Sequence, residues 1–283
     1  MSHDEQLAWE ARASKPAAVA AFATAFMSMA AGLYVSIAVG TLEDGTDGYL
    51  KAVDEEPSQF LIQSIAQAVG LLLLVLPLLY LFRATRHRRP QLKPAAAGLL
   101  ILGAVTLAVV TVIGRLEIID IAHDFFPEHA TGDLDEAAQD FVSDESSSVL
   151  QGIALGGTIA LAFTIGMIAL NAMRAGLLSR FMGILGIFVG VLLVIPLGVQ
   201  ILQLFWFAAL GLLFLNRWPG GRGPAWQTGE AIPWPGAAEQ REEIERRRAE
   251  REGVLDPPAE ADAEDEAAPE SPRPSSRKRR KKR

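Results

Sequence analysis

The sequence predicts an all-α polytopic membrane bundle of six transmembrane helices followed by a disordered C-terminal tail. Three observations predict it. Half of the 283 residues are hydrophobic, and they gather into blocks almost free of charge. The segments between blocks alternate in sign: 41–58 carries a net −5 and 115–147 a net −9, whereas 83–93 carries +5 and 171–180 carries +2. Within Arg83–Lys93, five basic residues and no acid lie between two apolar runs. Short loops of that kind resist translocation, so this one fixes the cytoplasmic side and thereby the side of every other loop.

Taken in order, residues 1–15 form a polar head that begins acidic and lacks the basic n-region of a secretory signal. Pro16 opens the first span, 16–40, at a position where its missing N–H costs nothing. At 1.5 Å per residue these uncharged residues reach roughly 37 Å, enough to cross with some tilt. Loop 41–58 (Thr41-Leu42-Glu43-Asp44-Gly45…) is turn-rich and acidic, and is placed outside. The second span, 59–82, returns inward with Tyr80 as an interface anchor, and the third, 94–114, runs from Pro94 outward to Gly114.

Loop 115–148 is the largest exterior element. Leu116, Ile118, Ile119, Ala122, Phe125 and Phe126 share one helical face opposite Glu117, Asp120 and Asp124, and Pro127 stops that helix. Asp133 reads as the N-cap of a second amphipathic helix with Leu134, Ala137, Ala138, Phe141 and Val142 on one side. Lacking a core of their own, the two helices are expected on the outer membrane surface or as a cap on the bundle. Ser146–Ser148 cap the fourth span, 149–171, and Arg174 and Arg180 hold the next loop inside. The uncharged run 181–216 is about 54 Å long as one helix, well beyond a hydrocarbon core of ~30 Å. Pro196 and Gly198 near its middle predict a hairpin with spans 181–195 and 198–216; one kinked helix is the alternative and would leave the tail outside. With the hairpin, both termini are cytoplasmic. In the tail, 217–283, Ala238–Val254 reads as a charged helix, 257–274 as disordered, and 273–283 holds eight basic residues in eleven.

The inventory of reactive groups is thin. No span contains Asp, Glu, Lys, Arg or His, which argues against proton relays, ion-coupled transport and intramembrane proteolysis. There is no Cys, so disulfides, thiolate zinc sites, iron–sulfur clusters and Cys nucleophiles are excluded together. Phosphate-binding loops ending in Gly-Lys-Ser/Thr, Gly-x-Ser-x-Gly elbows and His-Glu-x-x-His motifs are absent. The expectation is a protein that is not an enzyme, without catalytic residues, cofactor or metal. His123-Asp124-Phe125-Phe126-Pro127-Glu128-His129 offers four possible ligands, but its His spacing of six with Pro127 between gives no shared rigid face, and a solvated acidic loop is the simpler reading.

The polar residues that enter the spans are unevenly spread. Gln59, Gln63 and Gln67 lie on one face at i, i+4 and i+8; with Gln151, Thr158, Gln200 and Gln203 they form a candidate vestibule opening outward, near Thr106 and Thr111. The same residues also suit interhelical hydrogen bonds worth about 0.6–2 kcal/mol each. Gly152-x-x-x-Gly156 and Gly186-x-x-x-Gly190 permit close helix approach, read first as packing within the bundle and secondly as dimerisation. The terminal run Arg277, Lys278, Arg279, Arg280, Lys281, Lys282 and Arg283 is a candidate contact for anionic lipid, without sequence-specific nucleic-acid binding.

Met173-Arg174-Ala175-Gly176-Leu177-Leu178-Ser179-Arg180-Phe181-Met182-Gly183-Ile184-Leu185-Gly186, with Phe205-Trp206 and Arg217-Trp218-Pro219 closing the last span, resembles uncharacterised six-span bacterial integral membrane proteins of unknown function. The resemblance implies six spans and assigns no activity. Arg outnumbers Lys 20 to 6, which also suits a bacterial GC-rich genome. Taken together, the expectation is a multi-pass protein of the bacterial inner membrane, a non-enzymatic component that meets lipid or an unknown protein partner through its acidic exterior loops and basic tail. The alternative is a facilitative carrier or binding protein for a small neutral or amphipathic solute.

Overall fold

The computed structural model describes residues 2–40, 42–128, 134–195, 200–219 and 221–234, with 245, 246, 248 and 249 farther on, and is all-helical among them. The chain divides into two units, Met1–Trp234 and Pro235–Arg283. The charged helix expected over 238–254 is described only at those last four positions, which are helical, and the acidic stretch and polybasic end lie outside the described residues.

Helix α1, His3–Ala38, begins far earlier than Pro16, because Ser2 and Glu5 close a reciprocal capping box. Glu5 N–H donates to Ser2 Oγ at 3.3 Å and Ser2 N–H to Glu5 Oε2 at 2.7 Å. The polar head is therefore helical, and Pro16 lies inside the helix. The outer loop 41–58 likewise contains a helix, α2 at Thr46–Glu55, that buries Leu50 and Val53. Its N-terminus has no cap of its own; Asp135, from far down the chain, accepts from Thr46 N–H instead. Gly45 enters it with φ +99°, and a Cβ there would sit 2.9 Å from that same Asp135 carboxylate.

The second apolar run is two helices, α3 Pro57–Leu73 and α4 Val75–Arg88, interrupted at Leu74. Pro77 lacks the N–H that would meet the Leu73 carbonyl, which accounts for the break. Helix α5, Ala95–Glu128, passes straight through Gly114, so the expected separate surface helix over 116–126 is instead its outer half. α6, Leu134–Glu145, is where the periodicity placed it, though Asp133 lies outside the described residues. α7, Ser148–Arg174, is capped by Ser147 Oγ, and the Ser147 N–H donates to Glu117 on α5 at 2.7 Å. Then come α8 at Arg180–Val194, α9 at Gln200–Phe214 and the single turn α10 at Ala225–Thr228. The expected hairpin residues Pro196 and Gly198 fall outside the described residues.

Among the described residues, four helices are long and apolar enough to cross a membrane: Asp4–Ala38, Pro57–Arg88, Ala95–Phe126 and Ser148–Arg174. Two more, Arg180–Val194 and Ile201–Phe214, are apolar but shorter. The chain is thus a helical membrane protein by length and composition. Large apolar side chains face outward along the long helices, among them Phe26, Leu33 and Ile37 on α1, Leu102 and Val109 on α5 and Phe163 on α7. So broad an apolar exterior is what lipid solvates and water does not.

There are two cores. The main one joins α1, α4, α5, α7, α8 and α9 through Leu78, Leu81, Leu100, Leu161, Ile165, Trp206 and Leu210. The second gathers Val35, Leu50, Val53, Phe60, Ile121, Ala122, Phe125 and Ala138 from α1, α2, α3, α5 and α6. The acidic segments therefore do possess a core, shared by α2, the second half of α5 and α6, and form a folded cap on the bundle.

The two small-residue motifs diverge. A Cβ on Gly190 would lie 2.6 Å from the Ala162 carbonyl, and one on Gly186 2.6 Å from the Trp206 ring, so this pair packs inside the bundle. Gly152 and Gly156 meet nothing within 4 Å; Gly157 beside them makes the close approach, to Thr106. Gly190→Val is accordingly expected to destabilise by about 1–3 kcal/mol through overpacking, while Gly156→Val stays within about 0.5 kcal/mol. Thermal unfolding in detergent, read by helix signal, checks the pair.

Candidate functional site

The most elaborate polar construction lies where the N-terminal part of α1, the end of α4 and the segment after α9 meet. Arg88 and Glu10 form an ion pair whose side chains are 0% and 3% exposed. Arg88 Nη1 and Nη2 donate to the two Glu10 carboxylate oxygens at 2.5 and 2.9 Å. Nη1 also donates to the Ala84 carbonyl at 2.9 Å, while Nε and Nη2 donate to the Ala225 carbonyl at 3.0 and 2.8 Å. All five guanidinium N–H groups thus have acceptors, which is the condition for tolerating a charge away from water. Gln6 donates to Glu10 Oε1 at 2.9 Å, and Tyr80 donates its hydroxyl to the Glu10 carbonyl at 3.1 Å.

Aromatic rings close this hub. The Trp226 indole donates to the Leu177 carbonyl at 2.9 Å, and its ring lies 5.8 Å from Tyr80 in a stacked arrangement and 5.7 Å from the Arg88 guanidinium. Arg222 donates to the carbonyls of Leu213 and Phe214 at the end of α9. The turn at Gly176 fits against Ile232, whose carbonyl oxygen would be 1.8 Å from a Cβ there. Residues 217–234, expected as the start of a disordered tail, are instead docked on the helix ends. Sequence reasoning missed the hub because Glu10 and Ala225 stand 78 and 137 residues from Arg88, in segments read as solvated. The available signal was the pair of Trp residues, Trp218 and Trp226, in a stretch otherwise rich in Pro and Gly. The arrangement holds chain segments together and offers no free acid–base pair.

The glutamine column on α3 has three separate fates. Gln59 accepts from the Tyr34 hydroxyl on α1. Gln63 accepts from Arg115 at 3.5 Å, an Arg that also donates to the Tyr49 hydroxyl and lies 5.3 Å from the Phe60 ring centre. Gln67 joins Gln203 of α9 and Thr111 of α5 in lining a cavity of about 220 Å³, closed by Gly70, Leu71, Leu74 and Leu193. The structure therefore brings together Gln67 and Gln203 from the candidate vestibule and adds Thr111. Gln151 is exposed at the start of α7 and Thr158 is half-buried farther along it, neither lining this cavity. The Gln200 side chain and Arg277–Arg283 lie outside the described residues.

At the cap, His123 Nδ1 is 3.3 Å from Asp54, whereas Asp124 lines a different cleft with Glu117, Asp120 and Glu145. The Glu128 side chain and His129 are outside the described residues.

Removing one partner of a fully engaged buried ion pair leaves the other charge stranded, at a cost of about 3–5 kcal/mol. Arg88→Gln is thus expected to lower the midpoint of thermal unfolding and to expose 217–234 to limited proteolysis, while Arg86→Gln, on the exposed side of α4, changes neither.

Compared with protein-family models, curated proteins and solved structures, the chain matches none.

Proposed function

We propose that this protein is a non-enzymatic component of a bacterial inner membrane that works by contact with protein or lipid partners, crossing the bilayer six times with both termini in the cytoplasm. The observation that carries this reading is the state of the buried charges: Arg88 and Glu10 are wholly engaged with each other and with backbone carbonyls. On the folded cap, Asp140, Asp144 and Glu145 of α6 are exposed.

Several features support the six-span count. α8 and α9 are apolar helices of 15 residues each, and the Trp206 indole on α9 donates to the Met182 carbonyl near the start of α8. The segment after α9 reaches Arg88 and Leu177, which places the exit of α9 beside the end of α4 and the entry of α8. Those contacts favour an outward α8 and a returning α9 over one continuous helix. Glu10 at the same junction puts the start of α1 there too. The basic residues of 83–93 lie at this end, and Trp9, Tyr80, Trp218 and Trp226 suit an aromatic interface layer. The likeness of Met173–Gly186 to six-span bacterial membrane proteins agrees with the count.

A second reading, solute binding, is favoured by the cavity of Gln67, Gln203 and Thr111. Their side chains have no hydrogen-bond partner among the described residues, and a cavity of that size with convergent polar groups accommodates a few waters or a small neutral solute.

Photo-cross-linkers at Asp140 and Asp144 on the cap of the full chain in intact cells separate the readings. A discrete adduct from the cap, weakened at raised salt as expected for exposed charges, supports contact with a partner; absence of any adduct from these positions overturns it. For the solute reading, Gln67→Leu with Gln203→Leu is expected to abolish saturable uptake of neutral solutes into vesicles, and uptake equal to that of empty vesicles in the unaltered protein removes this alternative.

A further inference from the structure

A cleft of about 400 Å³ opens beside the hub between α1, α4 and the start of α5. That volume lies within the roughly 300–1,000 Å³ typical of ligand clefts. Its walls are apolar, with Ala13, Pro16 and Ala17 on one side, Leu76 and Leu79 on another, and Ala97 on the third. The sequence explains why the helices part here. Pro16 inside α1 and Pro77 in the first turn of α4 each lack a helical N–H, and the three alanines leave the gap unfilled. Outside, the exposed side chains Val69, Leu72 and Leu76 form a stripe that runs along α3 and α4 into this opening.

The mouth has a different character. Arg83 is exposed, its guanidinium 5.1 Å from the centre of the Trp9 ring, and it forms no ion pair or hydrogen bond among the described residues. Arg88, five positions on, has every donor taken; Arg83 has none taken. A guanidinium attracted to an aromatic face keeps its N–H donors for other partners, and its fork matches a pair of phosphate oxygens. Tyr80 completes the wall, but its hydroxyl is occupied by the Glu10 carbonyl, so the donors left at the mouth among the described lining residues are the Arg83 guanidinium and the Trp9 indole N–H, of which only the guanidinium is charged.

We infer that this cleft binds one anionic phospholipid of the cytoplasmic leaflet, its phosphate on Arg83 over Trp9 and one acyl chain between Pro16, Leu76, Leu79 and Ala97. The inference rests on the proposed membrane reading and the sidedness given by the basic loop, and is distinct from the terminal run Arg277–Arg283. The chemistry selects the ligand: an unpaired cation at the headgroup level, a dry slot below it, and continuity with the lipid-facing stripe. A soluble anion would gain nothing from the slot, and a zwitterionic lipid would bring an ammonium group beside Arg83 and the neighbouring Arg86.

The full chain purified in detergent and titrated with chain-brominated phosphatidylglycerol or phosphatidylcholine tests it, because bromine in the slot quenches Trp9. Phosphatidylglycerol is expected to quench at about five-fold lower concentration than phosphatidylcholine, the worth of one basic residue near a lipid headgroup, with the preference falling below about two-fold in Arg83→Gln. Trp9→Phe removes the saturable quenching. Replacing Arg277–Arg283 by glutamine leaves the preference intact. Ala97→Leu fills the slot and weakens quenching by both lipids with helix content unchanged. A preference that survives Arg83→Gln, equal quenching by both lipids, or a preference lost only with the tail substitution overturns the site. Alkaline carbonate extraction of cell membranes separates the two levels: absent quenching in a chain that stays with the membrane overturns the cleft alone, and release of the chain overturns the membrane reading beneath it.

Discussion

Arg88 carries five N–H donors into a place closed to water, and the architecture of the basic end follows from meeting all five. Two go to Glu10, which requires the first turns of α1 to be helical and to lie against α4. Two go to the Ala225 carbonyl, which requires the chain beyond α9 to fold back across the helix ends. Once those segments are in place, Trp226 reaches Leu177, and the turn between α7 and α8 is pinned as well. A charge that would otherwise be costly in a low-dielectric setting has become a fixed point for four chain segments. The cooperative unit therefore runs from Ser2 to Trp234, and neither end of it is an appendage.

The other end is organised by apolar contact and by caps lent across the chain. Phe60, Phe125 and Leu50 fill the second core, while Asp135 and Glu117 satisfy the first backbone N–H groups of α2 and α7. These two acids are thus structural, whereas Asp120, Asp124, Asp140 and Asp144 are exposed. Between the ends, the glutamine column passes from bonded side chains near the cap to unbonded ones around the small cavity. Gln67 and Gln203 around that cavity thus contrast with Arg88, whose donors are all taken.

The apolar runs were legible because helices in lipid need length and hydropathy more than any particular neighbour: 149–171 falls within α7, 95–114 within α5, and 59–82 within α3 and α4 but for the break at Leu74. Their ends were less so. Nothing in the local sequence says that α5 continues past Gly114; the continuation is held by Ile121, Ala122 and Phe125 against α2 and α6, a tertiary cause. α2 itself was hidden by Gly45 and Gly48, which read as turns, and by a cap 89 residues away. The period of Gln59, Gln63 and Gln67 was plain, but their separate fates depend on Tyr34, Arg115 and Gln203 on other helices. Long-range partners decide such outcomes, and a single sequence does not pair them.

The borrowed cap of α2 has a consequence for biogenesis. A ribosome making this chain releases Thr46 long before Asp135 exists, so the amide that Asp135 will accept from must remain hydrated while two long apolar helices, Pro57–Arg88 and Ala95–Phe126, are still being made. Glu10 waits in the same way for Arg88, and both wait for Ala225. The two ends of the bundle thus close only as later segments of the chain are made, and a chain arrested before α6 would leave the N-terminus of α2 without its cap.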